Sequence, residues 1–333
     1  MAMAAVASAN ATVDKDIIRK KYPVPEKMPT PYEIGYHHAD WLKDYKGCTV
    51  EYPKYLTLQD VETFEASPLD IPVCAFPKTG TTWMNGIVMG VLANGDRKVY
   101  YDAPLEMKSP FLCRCEPEQP VGMRPIDIVK KRPPGRSFFT HLAYQALPES
   151  LLRAGSKKVY IWRNPKDTII SEYHFLQAQT RIQFHGDLDE VVDSFVNDRV
   201  GFGPFFDHLA SFWKHRNDDP NIFFCSFEEL KRDFHNVVRR LGKYLGKDLT
   251  DEQIQVVHEE TDFPKFQSNN LLNKSKAHEQ GYLDFNRHQF IRDGSVGQWK
   301  KLFTPEMNRK VDAWVEKNMK RPELQGMKLE FEI

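Results

Sequence analysis

The chain has 333 residues, with 46 lysines and arginines set against 46 aspartates and glutamates, and five cysteines. Such a length buries a large core as one α/β domain or two modest ones, while the balanced charge excludes a global field for nucleic acid or an anionic membrane, so any anion site must be local. The cysteines form no paired C-x-x-C spacing, which argues against a disulfide framework and a structural zinc site and favours a reducing, cytoplasmic compartment.

Residues 1–34 are polar, with Pro23, Pro25, Pro29 and Pro31, and read as a loosely ordered extension ahead of a single domain over 35–333. The first ten residues lack the basic start and long apolar run of a signal peptide, and no segment approaches the ~20 apolar residues of a membrane span. From Pro72 onward, short apolar runs alternate with longer amphipathic ones. Strands are expected near 71–76, 137–140, 157–162 and 222–226, and helices near 81–93, 165–178, 188–198, 203–216, 228–245 and 250–258. This alternation predicts an α/β fold: a single domain with a central parallel sheet flanked by helices, and ligands at the carboxyl ends of the strands. Residues 264–298 lack periodicity, and a loop closing over a ligand is the sharper reading of such a stretch.

The segment Ala75-Phe-Pro-Lys-Thr-Gly-Thr-Thr-Trp83 joins the first of these strands to the first helix. Unpaired N–H groups at a helix start favour a phosphate, Gly80 allows close backbone approach, and Lys78 with the threonine hydroxyls adds charge and donors. The lysine precedes the glycine and no first glycine exists, so the loop is P-loop-like without being a nucleotide triphosphatase loop. By itself the segment also fits an ordinary strand-to-helix turn.

A second motif is Arg163-Asn-Pro-Lys-Asp-Thr-Ile-Ile-Ser171, and a third is Phe290-Ile-Arg-Asp-Gly-Ser-Val-Gly-Gln-Trp-Lys-Lys-Leu-Phe-Thr304. With the loop at 75–83 and in this order, they resemble the cytosolic sulfotransferases over roughly residues 35 to 325. Those enzymes move a sulfuryl group from 3′-phosphoadenosine 5′-phosphosulfate (PAPS) to a hydroxyl or amine, leaving 3′-phosphoadenosine 5′-phosphate (PAP), and need no metal. The resemblance implies that Lys78 bonds the 5′-phosphate and stabilises the departing oxygen, with Thr79, Gly80, Thr81, Thr82 and Trp83 as the cradle. It implies that Arg163 and Ser171 hold the 3′-phosphate together with Ile291, Arg292, Asp293 and Gly294, and that Phe202, Thr261, Phe263 and Phe266 lie around the nucleotide.

His141 matches the family's Lys-Thr-His segment, which implies a general base, and a histidine near its ordinary pKa suits that task. The chain also departs from the family. Phe139 replaces the lysine that helps to bind the transferring group, a loss of roughly 2.7–4 kcal/mol if that lysine acts as an oxyanion donor and no other cation fills the space. Phe202 replaces a tyrosine, Asp262 a serine, and Asp293 a lysine. Pro305 and Arg309 interrupt the family's dimer segment, leaving a monomer or a homodimer. Phe111, Phe139, Thr140, Tyr144, His141 and Phe175 are the candidates for the acceptor pocket and suggest a small apolar acceptor. The sequence reading therefore favours a PAPS-dependent sulfotransferase; the alternative is a catalytically weakened nucleotide- or small-molecule-binding member of the same fold.

Overall fold

The computed structural model describes residues 42–55, 58–114, 124–180 and 184–333; the expected extension over 1–34 lies outside them. Strands β1 (Leu42–Tyr45) and β2 (Cys48–Glu51) form an antiparallel hairpin. The hairpin turns at Lys46 and Gly47, both at positive φ, the two-residue turn whose twist matches that of its strands. The chain then enters β3 (Ile71–Ala75), α1 (Thr81–Leu92), β4 (Ser137–Thr140), β5 (Lys158–Trp162) and α2 (Pro165–Ala178). Helices α3 (Leu188–Val196) and α4 (Phe205–Trp213) lead to β6 (Ile222–Ser226) and the helices α5 (Phe227–Arg232), α6 (Phe234–Leu245) and α7 (Asp251–Thr261). Short helices α8 (Phe263–Ser268) and α9 (Ser275–Glu279) precede the last long one, α10 (Pro305–Met319).

Strands β4, β3, β5 and β6 lie in that order in a four-stranded sheet, and every pair is parallel. Because successive strand residues face opposite sides, Val73, Ala75, Val159, Ile161, Phe223 and Cys225 pack with Met84, Ile87, Val237 and Val257 of one helical layer. Cys74, Phe138, Tyr160, Trp162 and Ile222 pack into the other layer with Ile169, Leu209 and Val311. Both faces are covered, as a parallel sheet requires. β4 lies on one side of β3 and β5 on the other, so the order reverses at β3 and a crevice opens beyond its carboxyl end.

Three expected boundaries shift for local reasons. The helix expected over 203–216 starts at Phe205, since Pro204 is its extended N-cap (ψ 147°). The helix expected over 228–245 is two helices, broken at Asp233, whose backbone leaves the helical region (φ −140°, ψ 57°). The stretch expected to be irregular over 264–298 contains α8 and α9.

The two strands that carry the crevice are locked at their amino ends by Asp70 and Arg136. The fully buried Asp70 carboxylate accepts from the backbone N–H groups of Ser67 (2.8 Å), Gly135 (3.2 Å) and Arg136 (3.0 Å), and from Arg136 Nε at 3.0 Å. Burial pushes this carboxyl group up, yet the Arg136 guanidinium and the backbone donors outweigh it and hold the pKa below the usual value. Removing one partner of such a pair leaves a buried charge alone. Asp70→Ala is therefore expected to lower stability by about 3–5 kcal/mol in urea denaturation at pH 7. A depressed carboxyl pKa contributes stability above the unfolded value and loses it as pH falls, so the gap between the variant and the parent should narrow below about pH 4.

Candidate active site

Helix α1 begins immediately after the turn at 76–80, and Gly80 is its N-cap at φ 106°. A Cβ there would lie 2.8 Å from Phe227 and 3.2 Å from Ile161, so both the backbone conformation and the packing demand glycine. Thr79 is wholly buried, and its hydroxyl donates to Phe76 O at 2.8 Å, so this side chain shapes the turn and leaves only its backbone to a ligand. Thr81 differs: its hydroxyl is buried and has no hydrogen-bond partner among the described residues. Buried donors are normally satisfied, so an unmatched one at a helix start marks a place for an acceptor.

Lys78 sits at φ 66°, a left-handed conformation that costs a non-glycine residue energy. Its ammonium lies 4.0 Å from the centre of the Phe175 ring and 4.1 Å from that of Phe290, so two aromatic faces sheathe the charge. Burial draws its pKa down to about 8; Glu172 opposes the shift, and Lys274, Arg163 and Arg292 add to it.

Arg163 leaves the end of β5 nine-tenths buried, donates from Nη2 to Ser295 O at 2.7 Å and stacks over Phe227 at 4.3 Å. Its Nε is buried without a partner among the described residues. Asn164 caps α2 by accepting from Asp167 N at 2.9 Å, and Pro165 takes the first helical position. The Asp167 carboxylate then reaches across the molecule and accepts from Gly297 N at 2.7 Å and Trp299 N at 3.3 Å. The loop over 291–299 is thereby fixed beside Arg163. Arg292 donates to Gln298 Oε1. Gly294, at φ 69°, lies so close to Phe263 that a Cβ would meet the ring at 2.5 Å. Asp293 turns its carboxylate onto its own loop, accepting from Ser295 N at 3.0 Å and from the Ser295 hydroxyl, and its charge still favours the protonated forms of Arg292 and Arg163 against burial.

His141 follows the last residue of β4 and faces the same crevice. Its Nδ1 lies 2.7 Å from Ala75 O; only an N–H can donate there, so Nδ1 carries the proton and Nε2 keeps its lone pair. Phe111, Phe139 and Phe202 surround the ring at 5.0, 5.6 and 5.4 Å. The sequence suggests a base near its ordinary pKa; burial instead pulls it down to about 3, against the hydrogen bond it donates to Ala75 O and aided by His208, Lys54 and Lys78. The imidazole is therefore held neutral.

A cavity of about 390 Å³ brings these groups together, lined by Lys78, Gly80 to Trp83, Phe111, Phe139, His141, Arg163, Ser171, Phe175, Phe202, Thr261, Phe263, Phe266 and Ile291 to Gly294. Thr140 and Tyr144 are not on its walls. Thr140 is wholly buried, and its hydroxyl receives Leu142 N at 3.2 Å. Tyr144 donates to Asp219 at 3.1 Å and stacks on His215, because the chain turns after His141. Phe202, on the cavity wall, lies against His141 and Phe111 and is held there by the hairpin: its N–H donates to Thr49 O at 2.6 Å. The cavity also takes in Lys54, Glu172, Phe227, Lys274 and Phe290. Of these, Phe290 opens the third motif and Phe227 stands directly after an expected strand end; the others come from segments without periodicity or from helix faces that read equally well as core.

The arrangement offers two anion-binding centres. One is formed by Lys78, the Thr81 hydroxyl and the start of α1, the other by Arg163 and Arg292, with aromatic rings of Trp83, Phe227 and Phe263 between. Beyond Lys78 lies a neutral base in an apolar box. Such a site can hold an elongated polyanion and deprotonate a small molecule at its end.

Residues 68–323 match the family model described as the sulfotransferase domain. Sulfotransferase 1C2 of Rattus norvegicus and that of Homo sapiens are each 32% identical to this chain over 278 residues, covering 84% of it and 92% of each relative. Among solved structures, retinol dehydratase in complex with androsterone and inactive cofactor PAP aligns with a TM-score of 0.77 at 22% identity, over 94% of this chain and 96% of that one, a likeness of fold. The mouse sulfotransferase SULT7A1 complexed with PAP aligns with a TM-score of 0.67 at 25% identity, over 85% and 95% of the two chains.

Since Asp167 alone among the described side chains anchors both Gly297 and Trp299 by their N–H groups, Asp167→Ala should free the loop at 291–299. Amide exchange at these two residues is expected to accelerate by roughly tenfold or more, the factor that about 1.4 kcal/mol of lost protection supplies, while amides of β5 stay protected.

Proposed function

The chain belongs to the sulfotransferase family, and we propose that it moves a sulfuryl group from PAPS to a hydroxyl or amine of a small, largely apolar acceptor. The observation that carries this reading is a neutral imidazole with a free Nε2 lone pair and a partly buried ammonium, His141 and Lys78, on the walls of one cavity. The two buried donors without a partner among the described residues, Thr81 Oγ1 and Arg163 Nε, fit a ligand with an acceptor group at each end.

Lys78, the hydroxyls of Thr81 and Thr82 and the backbone N–H groups of the loop would hold the 5′ end of the donor. Arg163, Ser171 and Arg292 would hold its 3′-phosphate, and Trp83 and Phe263 would flank the base. Bound there, the donor supplies an activated sulfuryl group. His141 Nε2 takes the acceptor's proton as the acceptor atom bonds to sulfur, and Lys78 stabilises the phosphate oxygen that keeps the electron pair of the broken S–O bond. Phe111, Phe139 and Phe202 exclude water around the base and supply the apolar wall for the acceptor. Negative charge entering beside His141 raises its affinity for a proton above that of the empty site.

The alternative, a weakened member of the fold, rests on Phe139, Asp262 and Asp293. The Asp293 carboxylate is turned onto Ser295, which reduces the repulsion that this residue would otherwise bring to a phosphate.

His141→Ala is expected to lower kcat by about 10²–10⁴-fold with simple phenols and alcohols as acceptors, while calorimetric binding of PAP is retained. Turnover at the parental rate would refute the assignment. The free-enzyme profile of kcat/KM should show no acid limb near 6.5, the ordinary histidine value, because the imidazole stays neutral until far lower pH. Asp293→Lys is expected to tighten PAP binding about fivefold: a unit charge at 4 Å is worth about 4 kcal/mol at an effective dielectric of ~20, and exposure of the loop leaves about 1 kcal/mol of it.

A further inference from the structure

Phe139 stacks face to face on Phe111, with centroids 4.8 Å apart and planes 6° from parallel. On this apolar floor stands a cation from a distant part of the chain. The ammonium of Lys274, at the start of α9, lies 5.6 Å from the centre of the Phe139 ring, the same distance at which the His141 ring meets it. Lys274 lines the cavity that Lys78 and His141 share.

Its position is built. The backbone takes a left-handed conformation, φ 70°, of the kind that persists in non-glycine residues only where the surroundings impose it. Asn273 imposes it from one side: Nδ2 donates to Gln267 O at 2.7 Å, and Oδ1 accepts from Ser275 N at 2.9 Å and the Ser275 hydroxyl at 2.6 Å. The ammonium, only 13% exposed, pairs with Glu106 at 3.2 Å. Burial lowers the Lys274 pKa, and Glu106 and its hydrogen bond work against that loss, with Arg114 adding to it. Glu106 thus offsets part of what burial costs the ammonium. Lys78 feels the charge as well, for Lys274 is among the groups that lower its pKa.

A like-charged neighbour of Lys78 is costly in an empty cavity and favourable around an anion shared by the two. We infer that Lys274 is a catalytic residue of the transfer, the second cation that binds the oxygens of the sulfuryl group above the apolar Phe139 ring, in the cavity it shares with Lys78. This rests on the proposed function. Lys78 serves the oxygen that leaves with the donor phosphate; Lys274 serves the oxygens that travel with sulfur.

The test compares Lys274→Met, Lys274→Arg and the double variant Lys274→Met with Glu106→Gln, which removes both charges of the buried pair in case the single change fails to fold. Calorimetry with PAP verifies an intact donor site in each. In turnover, kcat should fall about 10²–10³-fold in the Met variants, with acceptor KM little changed and partial retention in Lys274→Arg. Adding Phe139→Lys to Lys274→Met, which returns a cation to the same spot from the sheet, should recover at least tenfold. A readout without turnover is binding of inorganic sulfate to the PAP-loaded protein, which should weaken about tenfold or more in both Met variants. Unchanged kcat, a loss confined to acceptor KM, or unchanged sulfate affinity overturns the inference. If the parent protein transfers no sulfuryl group at all, the proposed function fails, and the sulfate measurement still decides the role of Lys274.

Discussion

The Asp167 carboxylate joins two parts of the chain that are far apart in sequence. It rides the first turn of α2, where Asn164 and Pro165 set the helix start, and it accepts the N–H groups of Gly297 and Trp299. Arg163, 3.8 Å from the same carboxylate, is thereby steadied against the loop that carries Arg292 and Gly294. Without this attachment the guanidinium wall would be split between a rigid strand end and a tethered segment, and neither half would hold a phosphate firmly. The Asp167 carboxylate spreads its hydrogen bonds over two backbone N–H groups and offsets part of the arginine charge, which steadies two cations beside each other until an anion arrives.

The opposite wall is organised by exclusion. Packing His141 between Phe111, Phe139 and Phe202 fixes its tautomer through Ala75 and strips it of water. A base so weakened in the empty site is fitted to act only when an anion and an acceptor replace the missing solvent, which restrains proton uptake in their absence. The hairpin β1–β2 contributes here at a distance, since Thr49 accepts Phe202 N, and its hydroxyl donates to Val200 O at 2.5 Å.

Much of this was legible in the sequence because it is local. The turn at 75–83, the Asn-Pro start of α2 and the strand runs each carry their signal within a few residues, and they stand at the carboxyl ends of a parallel sheet as the alternation of elements implied. The pairing of Asp167 with Gly297 was not legible, since an aspartate in the first turn of a helix is already explained by its dipole. Nor was Lys274, which comes from a stretch without periodicity. One aromatic residue misled in the other direction: Tyr144 has the composition of a pocket wall, but the turn after His141 carries its ring to Asp219 and His215. The low pKa of His141 needed three phenylalanines from three segments, which no spacing reveals.

The sheath around Lys78 ties chemistry to the closure of the binding loop. Phe175 belongs to α2 and Phe290 to the segment that leads into Arg292, and each ring lies about 4 Å from the same ammonium, at 4.0 and 4.1 Å. The attraction between a ring face and an amine exists only while the amine is protonated, and here the proton is held with a pKa of about 8. One ionisation, mildly alkaline in the empty site, therefore removes the charge that faces the leaving oxygen and weakens the hold of both rings on the same side chain, while Asp167 still fastens the loop to the helix.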